Sequence, residues 1–165
     1  MDEQFGGLIE TSVAIEIDLA GPGDISLWMS LAEEVLPLFG PMPGFDNVLQ
    51  LKIAQKRAYC ARATGQGLPF LGGVLIGGSG QEYWIRWLAV SSMYRRCGIG
   101  RLLTEAAIAA TAPGSFLNVD TFAKGNPGAA EAGRLYESCG FVPTDVVEVA
   151  GQVRQRYRRR SASPD

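Results

Sequence analysis

Two repeat lengths of apolar positions organise the chain: a two-residue alternation that predicts strands, and a three-to-four spacing that predicts helices. Val13 to Leu19 sets Ile15, Ile17 and Leu19 against Glu16 and Asp18, a half-buried strand. After Gly21-Pro22-Gly23, Asp24 is placed to cap a helix whose Ile25, Trp28, Leu31, Val35 and Leu36 share one face. The Gly40–Gly44 loop (GPMPG) ends it, and a shorter helix is expected from Asp46 to Arg57. A strand at Tyr59 to Arg62 turns at Gly65-Gln66-Gly67 into a buried strand at Pro69 to Ile76, with the next turn at Gly77 to Gly80. Glu82 to Val90 (EYWIRWLAV) is the strongest strand, rich in aromatic and β-branched residues. Its parity puts Arg86 with Leu88 and Val90, and Ile85, Trp87 and Ala89 on the other face. Gly100 to Ala112 reads as a helix, Phe116 to Phe122 as a strand, Ala129 to Ser138 as a helix closed by Gly140, and two strands finish the chain. Helices interleave with strands, yet strands also follow one another directly. The expectation is one α/β domain over residues 13–160 with a mixed sheet, an N-terminal segment at 1–12 and a C-terminal tail at 161–165.

Composition narrows the chemistry. With 165 residues, 47% hydrophobic and 19% charged, the chain can bury a full core and is not intrinsically disordered. No histidine occurs, which excludes Ser-His-Asp and Cys-His catalysis and argues against a catalytic zinc. Cys60, Cys97 and Cys139 cannot all pair and match no metal spacing, so no metal is expected. The acidic start and the lack of a membrane-length apolar run predict a reduced, cytoplasmic setting without membrane contact. A net charge of −2 gives no global attraction to nucleic acid. Five bases do crowd into Val153 to Arg160 (VRQRYRRR). Val153, Gln155 and Tyr157 share one parity there and Arg154, Arg156 and Arg158 the other, so we read a last strand rather than a nucleic-acid tail.

The informative segment runs from Leu88 to Leu103 (LAVSSMYRRCGIGRLL), where a strand passes into a helix. Free N–H groups in a helix's first turn favour an anion, and glycines at 98 and 100 let phosphates approach the backbone. Arg95, Arg96 and Arg101 add charge-assisted donors. This is a pyrophosphate cradle. A dinucleotide fingerprint fails because Leu103 stands where its third glycine belongs, and a P-loop fails because no Gly-Lys-Ser/Thr occurs. The pattern that fits is R-x-x-G-x-G, on Arg95, Gly98 and Gly100.

With that motif, and with Leu135-Tyr136-Glu137-Ser138-Cys139-Gly140-Phe141 further on, the chain resembles the GNAT superfamily of acyl-CoA-dependent N-acyltransferases. The resemblance implies a single-domain α/β fold with a mixed sheet of six or seven strands and four flanking helices. It implies acetyl-CoA as co-substrate, with the backbone of Leu88, Ala89 and Val90 along the pantetheine arm and the N–H groups of Arg96, Cys97, Gly98, Ile99, Gly100 and Arg101 on the pyrophosphate. Tyr136 would line the thioester and protonate the leaving thiolate. Where many members carry a carboxylate base on the central strand, this chain has Arg86 and Trp87, so the resemblance implies that Glu82, Asp120 or a water chain serves, or that the substrate arrives already deprotonated. An asparagine common in the family before the tyrosine is replaced by Ala129, with Asn126 nearby either taking the contact or starting a turn. Direct amine attack needs no acyl-cysteine, so Cys97 is not read as a nucleophile. Trp84 and Trp87 have opposite parity, which sends one to the core and the other to the acceptor. Arg86 is expected to meet a carboxylate, either that of Glu82 or that of the substrate. The expected reaction is acetyl transfer to a primary amine of a small molecule, with a homodimer left open. The alternatives are a catalytically silent acyl-CoA-binding module and an enzyme acting on a protein amine.

Overall fold

A computed structural model describes residues 14–64 and 70–163. The Gly65-Gln66-Gly67 turn, Val13 and Pro69 lie outside them. In chain order the elements are β1 (Ile15–Leu19), α1 (Ile25–Phe39), α2 (Phe45–Ala54), β2 (Ala58–Ala63), β3 (Phe70–Ser79), β4 (Glu82–Val90), α3 (Ile99–Ala109), β5 (Phe116–Phe122), α4 (Ala129–Ser138), β6 (Val142–Val149) and β7 (Gln152–Arg160). They form one seven-stranded sheet in the order β1-β2-β3-β4-β5-β7-β6. Only β4 and β5 pair in parallel among the described strands.

The sheet carries a core on each face. On one side α1 and α2 press Trp28, Leu31, Ala32, Val35, Phe45 and Leu49 onto Ala58, Cys60, Leu75, Trp87 and Ala89. On the other, α3 and α4 press Ile99, Leu103, Ala107, Tyr136 and Cys139 onto Leu71, Val74, Ile76, Ile85, Leu117 and Val119. Glycine at 73 makes the first packing possible. A Cβ there would sit 2.4 Å from Trp28 Cη2, so any side chain would expel the indole from the sheet.

Several boundaries and faces differ from the sequence expectation. Asp24 does not cap α1 with its side chain; its carboxylate accepts from Gly21 N–H and takes two bonds from Arg62 instead. Leu36 is 43% exposed, and Ala32 takes its place on the buried stripe. Leu19 is exposed rather than inward. Helix α2 stops at Ala54, just before Lys56 at φ +61°, a left-handed residue that an α-helix cannot continue through. Strand β3 runs on through Gly77 and Ser79, paired with Trp84 and Glu82, so the turn narrows to Gly80 and Gln81. Helix α3 ends at Ala109 rather than Ala112, where the Thr111 hydroxyl bonds the Ile108 carbonyl.

The parity of β4 is also broken. Leu75 faces Trp87 and Ile76 faces Ile85, leaving Arg86 as the extra residue of a bulge. Ile85 therefore joins the α3 side while Trp87 and Ala89 join the α1 side. Arg86 does not share the face of Leu88 and Val90. It lies exposed over Trp84, with Lys52 of α2 beside it.

Candidate functional site

The bulge sets up a cleft. Pairing of β4 with β5 covers Glu82–Ile85 against Phe116–Val119 and then stops. Strand β5 carries on with β7 as far as Phe122 opposite Arg154, while β4 beyond Arg86 stays with β3. A bulged strand bends, and here the two strands part. Between them lies a cavity of 680 Å³. Its walls are β4 from Trp84 to Val90, the start of α3, the end of β5, and Ala132, Leu135 and Tyr136 of α4. Residues 86 to 90 have no β5 partner, so the backbone edge that faces the cleft is free to pair with an extended ligand.

The loop at the head of β4 supplies the anion cradle. Arg96 (φ +65°) and Gly98 (φ +80°) are both left-handed, which turns the chain sharply into α3. The helix begins its bonding with Leu102 N–H on the Gly98 carbonyl, so the N–H groups of Ile99, Gly100 and Arg101 have no acceptor within the helix. The nearest atoms to a Cβ on Gly100 would be Leu135 Cδ2 (3.4 Å) and Cδ1 (3.7 Å) and Val90 Cγ2 (3.9 Å), from two residues that line the cleft. Arg95, Arg96, Gly98, Ile99, Gly100 and Arg101 all line it too. Arg95 Nε donates to the Val90 carbonyl (3.3 Å). Arg101, expected to offer its guanidinium, commits Nε to Glu105 and Nη1 to Ser138 of α4, so it fixes α4 to α3 while its backbone N–H faces the helix start. The exposed Cys97 thiol points back to the Arg95 carbonyl (3.7 Å).

One residue that positions this loop escaped the sequence reading. Glu34 of α1 accepts from Ser92 N–H and from the Ser91 hydroxyl, pinning the turn that follows β4. The Ser92 N–H hydrogen bond also holds its carboxyl below the usual carboxylate range. Its partners are 57 and 58 residues away, and no local motif announces them. Phe39, Phe122, Arg134 and Arg154 of the cleft wall were missed for the same reason.

The predicted catalytic groups fall in different places. Tyr136 is buried at 4% exposure, packed edge-on against Phe141 (5.4 Å) and beside Tyr157, and it lines the cleft. Its hydroxyl has no hydrogen-bond partner among the described residues, and burial pushes the phenol up, so it holds its proton at neutral pH. Asp120 also lines the cleft, but both its oxygens are taken by Arg156. Glu82 lies outside it, bonded to Arg158 (2.6 Å) and Asn118 (2.9 Å), which corrects the expectation that it meets Arg86. Asn126 is not in the cleft wall; its Oδ1 accepts from Gly128 N–H and so starts the turn into α4. Trp84 and Trp87 share a face because of the bulge. Trp87 is core, packed on Phe45 (4.8 Å), and Trp84 stands in the cleft between Arg86 (5.0 Å) and Arg156 (4.7 Å).

Residues 54–143 match the family model described as an acetyltransferase (GNAT) domain. A sequence search of curated proteins returns no match. Among solved structures, the fold resembles Ard1 from Thermoplasma volcanium at 18% identity and TM-score 0.72, over 92% of this chain and 100% of that one. It resembles the ribosomal-protein-S18-alanine N-acetyltransferase from Escherichia coli at 17% identity and TM-score 0.66, over 92% and 97%. It also resembles a chain of the NatC complex bound to Gag peptide and CoA, at 19% identity and TM-score 0.69, over 88% and 98%. At such identities the likeness is one of fold.

Proposed function

This chain belongs to the GNAT acetyltransferase family, and from that premise we propose that it moves the acetyl group of acetyl-CoA directly to a primary amine of a small molecule. One observation carries the reading. The parted β4–β5 edge, the N–H groups at the start of α3 and the Tyr136 phenol, which has no hydrogen-bond partner among the described residues, all line one cavity. These residues fit acetyl-CoA. A free strand edge suits the amide-bearing pantetheine arm, and a helix start with no Cβ at position 100 suits a pyrophosphate. Acetyl-CoA supplies the acetyl group as a thioester.

The protein's own contribution is binding, orientation and one proton. Leu88, Ala89 and Val90 hold the arm through backbone groups, while Ile99, Gly100 and Arg101 donate N–H groups to the phosphates, aided by Arg96. Tyr136 keeps a proton at its hydroxyl and donates it to the departing thiolate. Asp120 is tied to Arg156, so the amine loses its proton to water or arrives neutral. The same cavity also admits a peptide amine, a reading favoured by the neighbour solved with Gag peptide and CoA.

The test is thiol release from acetyl-CoA with a panel of small amines and short peptides, paired with calorimetry of CoA binding. One CoA site and turnover of small amines supports the proposal. Turnover of peptides alone reassigns the acceptor. CoA binding with no thiol release from any amine makes the chain a silent binding module.

A further inference from the structure

The arginines of the open sheet face mostly carry their own counter-charge. Arg156 is held by Asp120 and Arg158 by Glu82. Arg154, at the cleft wall, donates to the Gln152 side chain. Arg86 differs. It lines the cleft, rests on the Trp84 ring, and has no hydrogen-bond partner or carboxylate among the described residues. A second cation crowds it. Over Gly77, the point a Cβ would occupy is 2.8 Å from Arg86 Nε and 3.2 Å from Lys52 Nζ, so both cations share one small space, and neither forms a salt bridge among the described residues. Arg57, bonded to the Gly78 carbonyl, adds its charge to the same corner. Partial burial and these two arginines lower the Lys52 pKa, which marks a cluster short of negative charge.

A guanidinium held over an indole by a cation–π contact keeps its N–H donors available for a planar or tetrahedral oxyanion. From this geometry we infer that Arg86, with Lys52 beside it, recognises an anionic group on the acceptor, so the substrate is a small amine that also carries a carboxylate or phosphate. This rests on the acetyl-transfer reading and names its substrate class. The bulge serves that purpose, since it turns Arg86 away from the Leu88 face and onto Trp84 in the cleft wall.

The experiment compares matched acceptors: L-amino acids against their carboxamides, and phosphoethanolamine against ethanolamine. For the wild-type protein, kcat/KM is expected to favour the anionic member of at least one pair by about tenfold or more, and that ratio should fall to about one in Arg86→Met. Arg86→Lys should keep part of it. The melting temperature of Arg86→Met should stay within about 2 °C, because the residue is exposed. The carboxylate pair and the phosphate pair separate the two anion sources. A wild-type protein without anion preference, or an Arg86→Met protein that keeps it, overturns the inference while leaving acetyl transfer intact. If no amine turns over, the acetyl-transfer reading fails. Calorimetry of the same amino acids and of phosphoethanolamine on the CoA-loaded protein then decides the anion site alone. Binding lost in Arg86→Met upholds the site, and absence of binding in the wild type removes it.

Discussion

One guanidinium occupies both carboxylate oxygens of Asp120: Arg156 Nε lies 2.7 Å from Oδ1 and Nη2 lies 3.0 Å from Oδ2. The pair bridges β5 and β7 at the cleft wall, with the two side chains 17% and 30% exposed. A carboxylate engaged in this way stabilises the wall and makes a poor proton acceptor. Asp120→Asn is therefore expected to lower stability by about 1–3 kcal/mol, since it leaves a partly buried arginine short of its partner. The acid limb of the kcat/KM profile should survive. Loss of a true general base would flatten that limb and cost roughly 10²–10⁴-fold in rate. Such a loss at unchanged melting temperature would reinstate Asp120 as the base.

Asp24 gives the clearest pH signature of the fold. Arg62 donates to both its oxygens at 2.9 Å, and this hydrogen-bonded pairing holds the carboxyl below its ordinary 3.8. A group whose folded pKa is depressed contributes stability above the unfolded value and loses it as pH falls through the folded one. The acid limb of stability should thus begin near the unfolded value and continue below it. Asp24→Asn is expected to be about 1–3 kcal/mol less stable at neutral pH and to show a shallower acid limb. Denaturant unfolding across that limb checks it; parallel curves for the two proteins would refute the linkage.

The cradle is testable because nothing structural needs Gly100 to be glycine. Its Cβ would meet Leu135 and Val90 at ordinary contact distances, so the backbone there accepts a Cβ. Gly100→Val is expected to retain a cooperative melt and to lose CoA binding, with a β-branched group filling the space a pyrophosphate needs. Arg96→Ala should weaken CoA by about 1–3 kcal/mol through loss of a charge-assisted contact. Calorimetry with unchanged CoA affinity in folded Gly100→Val would place the phosphates elsewhere.

What the sequence revealed was local, and what it hid was paired over distance. Gly98, Gly100 and the apolar run into them are neighbours in sequence, so the strand-to-helix cradle could be read directly. Tyr136 lies inside its own signature, Leu135 to Phe141, and was legible for the same reason. The bulge at Arg86 depends on how β3 registers against β4, which no single strand reports, and it overturned the parity of Trp84, Ile85 and Arg86 together. The arginine face of β7 was legible from alternation alone. Its partners Asp120 and Glu82 lie 36 and 76 residues away, so two candidate bases were in fact ion-paired groups.

Tyr136 carries the sharpest prediction. Its ring is structural, wedged against Phe141 and Tyr157, whereas its hydroxyl has no partner among the described residues. Burial raises the phenol's pKa, so the group is a proton donor through the whole neutral range rather than a base. Removing the hydroxyl alone takes away that proton and leaves the packing. Tyr136→Phe is expected to melt with the wild type and to bind CoA with the same affinity. Its kcat should fall by roughly 10²–10⁴-fold, because a general acid acts in the transition state and not on the bound ground state. Tyr136→Ala makes the contrast, since its cavity should cost about 3–5 kcal/mol of stability as well. If kcat in Tyr136→Phe falls by less than about threefold, the thiolate leaves without help and Tyr136 serves only to join α4 to the sheet.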